Sequence, residues 1–148
     1  RRSSDLVSAY AQAGRQARHN LNYWSFGDFL GIGAGAHAKL SAPDGRIVRT
    51  WKTRLPKDYL DPAKAFQAGE RVLDAEELPF EFLMNVLRLT EGAPAALFEQ
   101  RTGLPLASLE QARREAEARQ LLQSDPQRLV ATREGQLFLN DLLQHFLP

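Results

Sequence analysis

The chain has 148 residues, of which 43% are hydrophobic, and this content supports a buried core and excludes an intrinsically disordered chain. Nineteen basic and eighteen acidic residues leave a formal net charge of +1, which favours neither nucleic acid nor an anionic membrane surface as a partner. No apolar run is long enough to span a bilayer, and a sequence without cysteine forms no disulfide. We therefore expect a cytoplasmic globular protein that binds no nucleic acid and has no integral membrane segment.

The first third of the chain has a polar, basic start and then a segment with regularly spaced glycines. Residues 1–22 show no steady apolar period, whereas residues 23–40 favour a strand that is buried on both sides at its glycine end. Gly31, Gly33 and Gly35 would leave one face of that strand bare. A ligand or a second backbone could then lie against it.

A hairpin and two helices are predicted next. The Asp44-Gly45 pair tolerates positive φ and predicts a tight antiparallel hairpin. Asp61-Pro62 combines an N-cap residue with a first-turn proline. This pair predicts a helix in the segment 56–75, which connects the hairpin region to the C-terminal part of the chain. A core-facing stripe at helical spacing predicts a second helix over residues 77–91, closed by Gly92; its members are Phe80, Leu83, Met84 and Leu87.

The last part of the chain is similar to a winged helix. Gly103 ends a short helix, Ser108 begins another with capping-box spacing, and Thr132 caps the last one. Short strands are predicted at 121–124 and 128–131 between these helices. The expected organisation is therefore residues 1–55 as a strand plus hairpin, 56–75 as a connecting helix and 76–148 as a mainly helical, winged-helix-like domain.

Two motifs carry a family resemblance. The string from His19 to Trp24 reads HNxxYW, and the string from Gly27 to Ala38 reads GxxLGxGxGAHA. Together they resemble the oxygen-independent coproporphyrinogen III oxidase-like radical S-adenosylmethionine family, and HNxxYW resembles its heme-chaperone branch. The resemblance implies an α/β fold in which residues 1–55 form the end of a partial (β/α) barrel, followed by the helical domain.

The resemblance also implies cofactors that this chain does not hold by itself. Members of the family bind S-adenosylmethionine and hold an iron–sulfur cluster through three cysteines, whereas this chain has none. We therefore expect the chain to be the C-terminal portion of a longer protein and to be catalytically inactive alone. The alternative is a natural short protein that has lost its catalytic half, and the mass of the protein made in its source cell distinguishes the two.

The family match assigns candidate site residues. It implies that His19 contacts heme, whose iron commonly takes a neutral imidazole as an axial ligand. Tyr23 and Trp24 would then wall the macrocycle, and His37 would contact S-adenosylmethionine. From the residues alone, a local hydrogen bond for His19, core packing for the two aromatics and a structural role for His37 remain open. The two histidines do not have metal-ligand spacing, so no metal site is predicted within the chain.

The basic residues of the hairpin also have two interpretations. They could pair with the heme propionates, or they could form a solvated edge that discourages strand pairing; they are Lys39, Arg46, Arg49, Lys52 and Arg54. The resemblance implies a parent protein that binds heme and transfers it to acceptor proteins. The alternatives are an oxygen-independent coproporphyrinogen III oxidase, which decarboxylates coproporphyrinogen III to protoporphyrinogen IX, and a non-catalytic protein-interaction module.

Overall fold

Two small antiparallel sheets and a set of short helices form the mixed α/β fold of the computed structural model, which describes residues 11–12 and 14–148. The helices are α1 (Arg18–Trp24), α2 (Pro56–Tyr59), α3 (Leu78–Val86), α4 (Ala96–Thr102), α5 (Glu110–Ala118), α6 (Arg133–Leu137) and α7 (Leu139–Gln144), with a 3₁₀ helix at Leu106–Leu109. The strands are β1 (His37–Ser41), β2 (Ile47–Lys52), β3 (Gln67–Val72), β4 (Ala93–Pro94) and β5 (Arg128–Leu129).

The predicted hairpin is confirmed and forms two strands of the larger sheet. Strands β1 and β2 pair antiparallel, with His37 opposite Trp51. The Ala42 N–H donates to the Arg46 carbonyl at 2.8 Å, and Gly45 takes the positive φ of 86° that the turn requires. The Asp44-Gly45 sequence therefore specifies the turn that joins the first two strands of the sheet.

The strand predicted over residues 23–40 is confirmed only at its end, where residues 37–40 belong to β1, and is wrong for the residues before them. Residues 18–24 form helix α1, and the segment that follows reaches β1 only through an isolated bridge between Phe29 and Lys39. Gly33 and Gly35 have φ values of 106° and 71°, which belong to turns and are incompatible with an extended strand. The glycine spacing marks a reversal of the chain that leads into β1.

The connecting helix predicted within residues 56–75 is also wrong. The structure has a single helical turn, α2, followed by strand β3, which pairs antiparallel with β2. The carboxylate of Asp61 accepts a hydrogen bond from the Ala63 N–H at 3.0 Å and closes a local turn at Asp61-Pro62. Pairing with β2 then satisfies the backbone groups of β3 that a helix would have satisfied internally.

The helical half is built around α3, whose prediction is confirmed with a shorter C-terminus. The Phe82 ring is fully buried and packs edge-to-face against Phe26 and Phe98, with centroid distances of 5.6 and 5.3 Å. Phe80 and Met84, predicted to face the core, lie at its partly buried margin. Because Phe26 directly follows α1, this aromatic row joins the N-terminal segment to the helical core.

Two predicted helix boundaries are wrong. Helix α3 ends at Val86, so Gly92 does not close it; Gly92 has a φ of 58° and passes so close to the Leu129 carbonyl that no side chain fits. Ser108 does not cap α5, because its hydroxyl donates to the Pro105 carbonyl at 2.8 Å and a 3₁₀ turn precedes the helix.

Other boundary predictions are confirmed, or confirmed in part. Gly103 ends α4 with a φ of 72°, and the Thr132 hydroxyl accepts from the Gly135 N–H at 3.0 Å. The last predicted helix is split into α6 and α7 at Phe138. Of the two predicted short strands, residues 128–129 form β5, which pairs with β4, whereas the other is reduced to a single bridge at Leu122.

Truncating Phe82 should destabilise the whole fold. We expect Phe82→Ala to lower the free energy of unfolding by about 3–5 kcal/mol, because it leaves a cavity between the Phe26 and Phe98 rings. Phe138→Ala, at a ring that is 52% exposed, is the matched control and should cost less than about 1 kcal/mol. Urea unfolding measures both, and equal losses would contradict the packing described here.

Candidate functional site

Helix α1 presents His19 and Tyr23 on one exposed face. The two residues are one helical turn apart, and their ring centroids lie 6.2 Å from each other in an edge-to-face arrangement. Tyr23 is 38% exposed and rests edge-to-face on Phe29, with a centroid distance of 4.5 Å. The imidazole of His19 therefore lies beside the Tyr23 ring, which in turn packs against Phe29.

Trp24 lies on a different side of α1. It is one residue beyond Tyr23, which rotates its side chain by about 100° around the helix axis. Trp24 is half-buried, whereas His19 and Tyr23 are exposed. The structure therefore brings together two of the three residues predicted to contact heme.

His37 is the first residue of β1, the element that follows helix α1 along the chain. Its side chain is exposed, and its Cα partner is Trp51 of β2. The backbone of His37 passes so close to Gly31 that a Cβ atom at position 31 would collide with the His37 carbonyl. The predicted approach of a second backbone to the glycine-rich segment is therefore observed at Gly31, where that backbone is β1.

The remaining glycine-rich segment forms a tight turn. The Gly33 N–H donates to the Tyr59 hydroxyl at 3.2 Å, and the Gly35 N–H donates to the Thr53 carbonyl at 2.9 Å. These bonds hold the segment against α2 and the end of β2. The side chains of Leu30 and Ile32 are 73% and 88% exposed.

A buried lysine connects the segment after α1 to the sheet. Lys39 of β1 is 1% exposed, and its Nζ donates to the Phe26 carbonyl at 3.0 Å and to Asp28 Oδ1 at 2.8 Å. The same ammonium lies 4.2 Å from the centroid of the Phe26 ring. The sequence predicts Lys39 as one of the basic residues of the hairpin surface. Nothing in the local pattern indicates that its side chain points into the interior.

The environment shifts the pKa values of this ion pair. Burial lowers the pKa of Lys39, and the hydrogen bond to Asp28 opposes that effect only in part. For Asp28, desolvation raises the pKa, but hydrogen bonds from Lys39 and Ser41 outweigh it, so the pKa of this carboxyl lies below its usual value of 3.8. The Asp28 carboxyl is therefore charged at neutral pH.

The other basic residues of the sheet also have intramolecular partners. Arg46 pairs with Asp44 at 2.7 Å, and Arg49 of β2 pairs with Glu81 of α3 at 2.5 Å. The Lys52 ammonium lies 4.7 Å from the centroid of the Phe66 ring. Three of the five predicted cations, Lys39, Arg46 and Arg49, are therefore paired with carboxylates of the chain, and a contact of the strip with heme propionates stays a prediction.

Metal-ligand clusters and membrane-spanning helices are absent from the described part of the chain. Among residues 11–12 and 14–148, no cluster of three or more His, Asp or Glu side chains is arranged to hold a metal ion. Within the same residues, no helix has the length and apolar character that crossing a bilayer requires. A surface cleft of about 430 Å³ lies in the C-terminal half, and its lining contains none of the predicted site residues; it is formed by Arg119, Leu121, Glu134, Phe138, Asp141 and Gln144.

Comparisons with known proteins identify the family. Residues 73–138 match the HemN C-terminal domain. Over 95% of its length, the chain is 46% identical to the heme chaperone HemW of Escherichia coli and 44% identical to that of Haemophilus influenzae. Residues 73–138 therefore belong to the HemN C-terminal domain family, and nearly the whole chain is similar to the HemW proteins. The chain spans 37% and 36% of the length of these two relatives.

A solved structure of the family has a similar fold. The coproporphyrinogen III oxidase HemN from Escherichia coli, described as a radical SAM enzyme, aligns with a TM-score of 0.55 at 15% identity. The alignment covers 81% of this chain and 28% of that one. At this identity the likeness concerns the mixed α/β fold alone, with its small antiparallel sheets and several helices.

A methyl group at Gly31 should disturb the contact between the glycine-rich segment and β1. We expect Gly31→Ala to lower the free energy of unfolding by about 1–3 kcal/mol, because its Cβ would overlap the His37 carbonyl. Ala34→Ser, at an exposed turn position, is the control and should change it by less than about 0.5 kcal/mol. Thermal melts measure the effect, and an unchanged melting temperature for Gly31→Ala would contradict the close approach.

The Asp28 carboxylate should make stability depend on acidity. Because folding lowers its pKa from 3.8, its contribution is complete above that value and is lost as the pH falls through the lower, folded-state value. We expect Asp28→Asn to be less stable than the wild type at about pH 6 and the difference to shrink towards about pH 2. Urea unfolding at constant ionic strength provides the measurement, and a difference that stays constant with pH would be the contrary result.

Proposed function

We propose that this chain is the C-terminal part of a radical S-adenosylmethionine-family heme chaperone and that its His19 contacts heme. The observation that carries the proposal is the exposed imidazole on the HNxxYW helix, held beside the exposed ring of Tyr23. The relatives named heme chaperone HemW support it, because they match nearly the whole chain. The intact protein, in this proposal, acts in the cytoplasm and passes heme to acceptor proteins.

The chemistry of the two side chains fits a tetrapyrrole. A neutral imidazole ligates heme iron through one ring nitrogen, and an exposed imidazole can approach the iron from one face of the macrocycle. Tyr23 adds an aromatic surface of the kind that packs against a flat apolar ring, and Phe29 supports it from the protein side. In this proposal Tyr23, rather than Trp24, shares the heme-facing side with His19.

An exposed heme-binding residue suits a protein that must release its heme. Tight retention of a ligand comes from extensive burial, whereas a contact made mainly at the surface dissociates faster. The His19 side of α1 is exposed, so heme bound there remains accessible to an acceptor protein. Few protein groups then have to separate from heme during its transfer.

The intact protein requires parts that this chain does not supply. An iron–sulfur cluster would need thiolate ligands, and the chain contains no cysteine, so its residues do not fit the cluster. We propose that residues 1–55 form the end of the catalytic barrel and residues 76–148 a winged-helix-like domain; residues 1–10 and 13 of the first range lie outside the described part of the chain. His37, exposed on β1, is the residue proposed to contact S-adenosylmethionine.

Removing the His19 imidazole should weaken heme binding. The chain has three histidines, His19, His37 and His145, so each can be replaced in turn. We expect His19→Ala to raise the Kd for hemin by about tenfold or more, which corresponds to ~1.4 kcal/mol, because the axial ligand is lost. Titration followed by the Soret absorbance provides the measurement.

His145→Ala is the matched control, because His145 is only 12% exposed and lies against Glu115 and Arg119 of the helical half. Its hemin affinity should equal that of the wild type. Unchanged affinity and spectrum for His19→Ala would refute the heme contact, whichever of the other histidines then proved to bind.

A further inference from the structure

Lys39 lies at a buried position, where removing an ammonium group from water costs free energy. It is 1% exposed within β1, although a lysine is almost never fully buried unless it is paired. Burying a charged pair commonly adds little net stability relative to well-packed apolar residues. The directional hydrogen bonds of such a pair can therefore matter more for orientation than for net stability.

All three side-chain contacts described for this ammonium come from one short segment. The Phe26 carbonyl, the Asp28 carboxylate and the Phe26 ring surround Nζ, and they directly follow helix α1. Asp28 also accepts hydrogen bonds from the Ser41 N–H and hydroxyl, both at 2.9 Å. The carboxylate thus links the segment after α1 to β1 at two positions.

The same segment is bonded back into α1. The Asn22 amide donates to the Asp28 carbonyl at 2.7 Å, and the Gly27 N–H donates to the Asn22 carbonyl at 2.8 Å. A Cβ atom at Gly27 would overlap both the side chain and the backbone carbonyl of Asn22, so a larger residue would disturb this contact. A displacement of residues 26–28 would therefore displace the C-terminal end of the helix.

Lysine 39 also fixes the ring on which Tyr23 rests. Its backbone exchanges two hydrogen bonds with Phe29, of 2.9 and 3.1 Å, and the Phe29 ring lies 4.5 Å from that of Tyr23. The side chain and the backbone of one residue therefore hold both the end of α1 and its support. His19 lies one turn earlier on the same helix face.

We infer that Lys39 is a positioning residue for the heme contact of His19, acting through the Phe26–Asp28 segment to orient helix α1 on the sheet. The inference rests on the proposed function. A directional set of hydrogen bonds sets one orientation of the helix, whereas an apolar side chain at position 39 would pack without selecting one.

The experiment compares three variants of the full chain with the wild type and His19→Ala. Lys39→Met keeps a long side chain against Phe26 but removes the charge and the donors. Asp28→Asn keeps an acceptor for Lys39 and serves as the milder variant if Lys39→Met does not fold. Arg49→Met is the matched control, because Arg49 is the cross-strand partner of Lys39 but pairs with Glu81 of α3.

Two measurements are made below the melting temperature of every variant. Hemin titration gives the Kd and the Soret spectrum, and amide hydrogen exchange reports the protection of residues 18–24. We expect Lys39→Met to raise the Kd by about tenfold, as loss of a group that orients a metal ligand does, with a heterogeneous spectrum and faster exchange in α1. Asp28→Asn should show a smaller change in the same direction, and Arg49→Met should leave all three readouts unchanged.

The outcomes separate the two proposals. If His19→Ala weakens hemin binding while Lys39→Met and Asp28→Asn leave the Kd and spectrum unchanged, the positioning role is refuted and the heme contact stands. Equal effects of Lys39→Met and Arg49→Met would also refute it, because general destabilisation would then explain both. If His19→Ala binds hemin as the wild type does, the proposed function fails, whatever hydrogen exchange reports for α1.

Discussion

The ammonium of Lys39, buried between β1 and the segment that follows α1, determines how helix α1 sits on the larger sheet. Its two hydrogen bonds, to the Phe26 carbonyl and to Asp28, orient a segment whose backbone has a φ of 55° at Phe26, a conformation that non-glycine residues seldom adopt. The contacts around Lys39 offset the cost of that conformation. Helix α1 is consequently attached to the three-stranded sheet.

The aromatic row of Phe26, Phe82 and Phe98 extends this attachment into the helical half. All three rings are almost completely buried, and Phe82 of α3 contacts both of the others. Polar contacts around Lys39 therefore specify the orientation of the segment, while ring packing contributes the hydrophobic energy that holds it. These two kinds of contact explain how α1, with seven residues and no buried side chain of its own, keeps a defined position.

The family assignment and the geometry concern different parts of the chain. Residues 73–138, which match the HemN C-terminal domain, contain neither the HNxxYW helix nor Lys39. The exposed histidine and its support lie before them, in the region that the family resemblance places at the end of a barrel. The helical half thus supplies the packing partner for the segment that carries the proposed heme contact.

The sequence by itself determined the features that depend on neighbouring residues: the hairpin turn at Asp44-Gly45, the Thr132 cap, and the HNxxYW motif that led to the family. Tertiary structure decided the rest. Strand β3 exists because β2 offers it backbone partners, and Lys39 is buried because Phe26 and Asp28, more than ten residues earlier, surround its charge. A local pattern contains no information about such distant partners, so it predicted a helix for the first and a surface cation for the second.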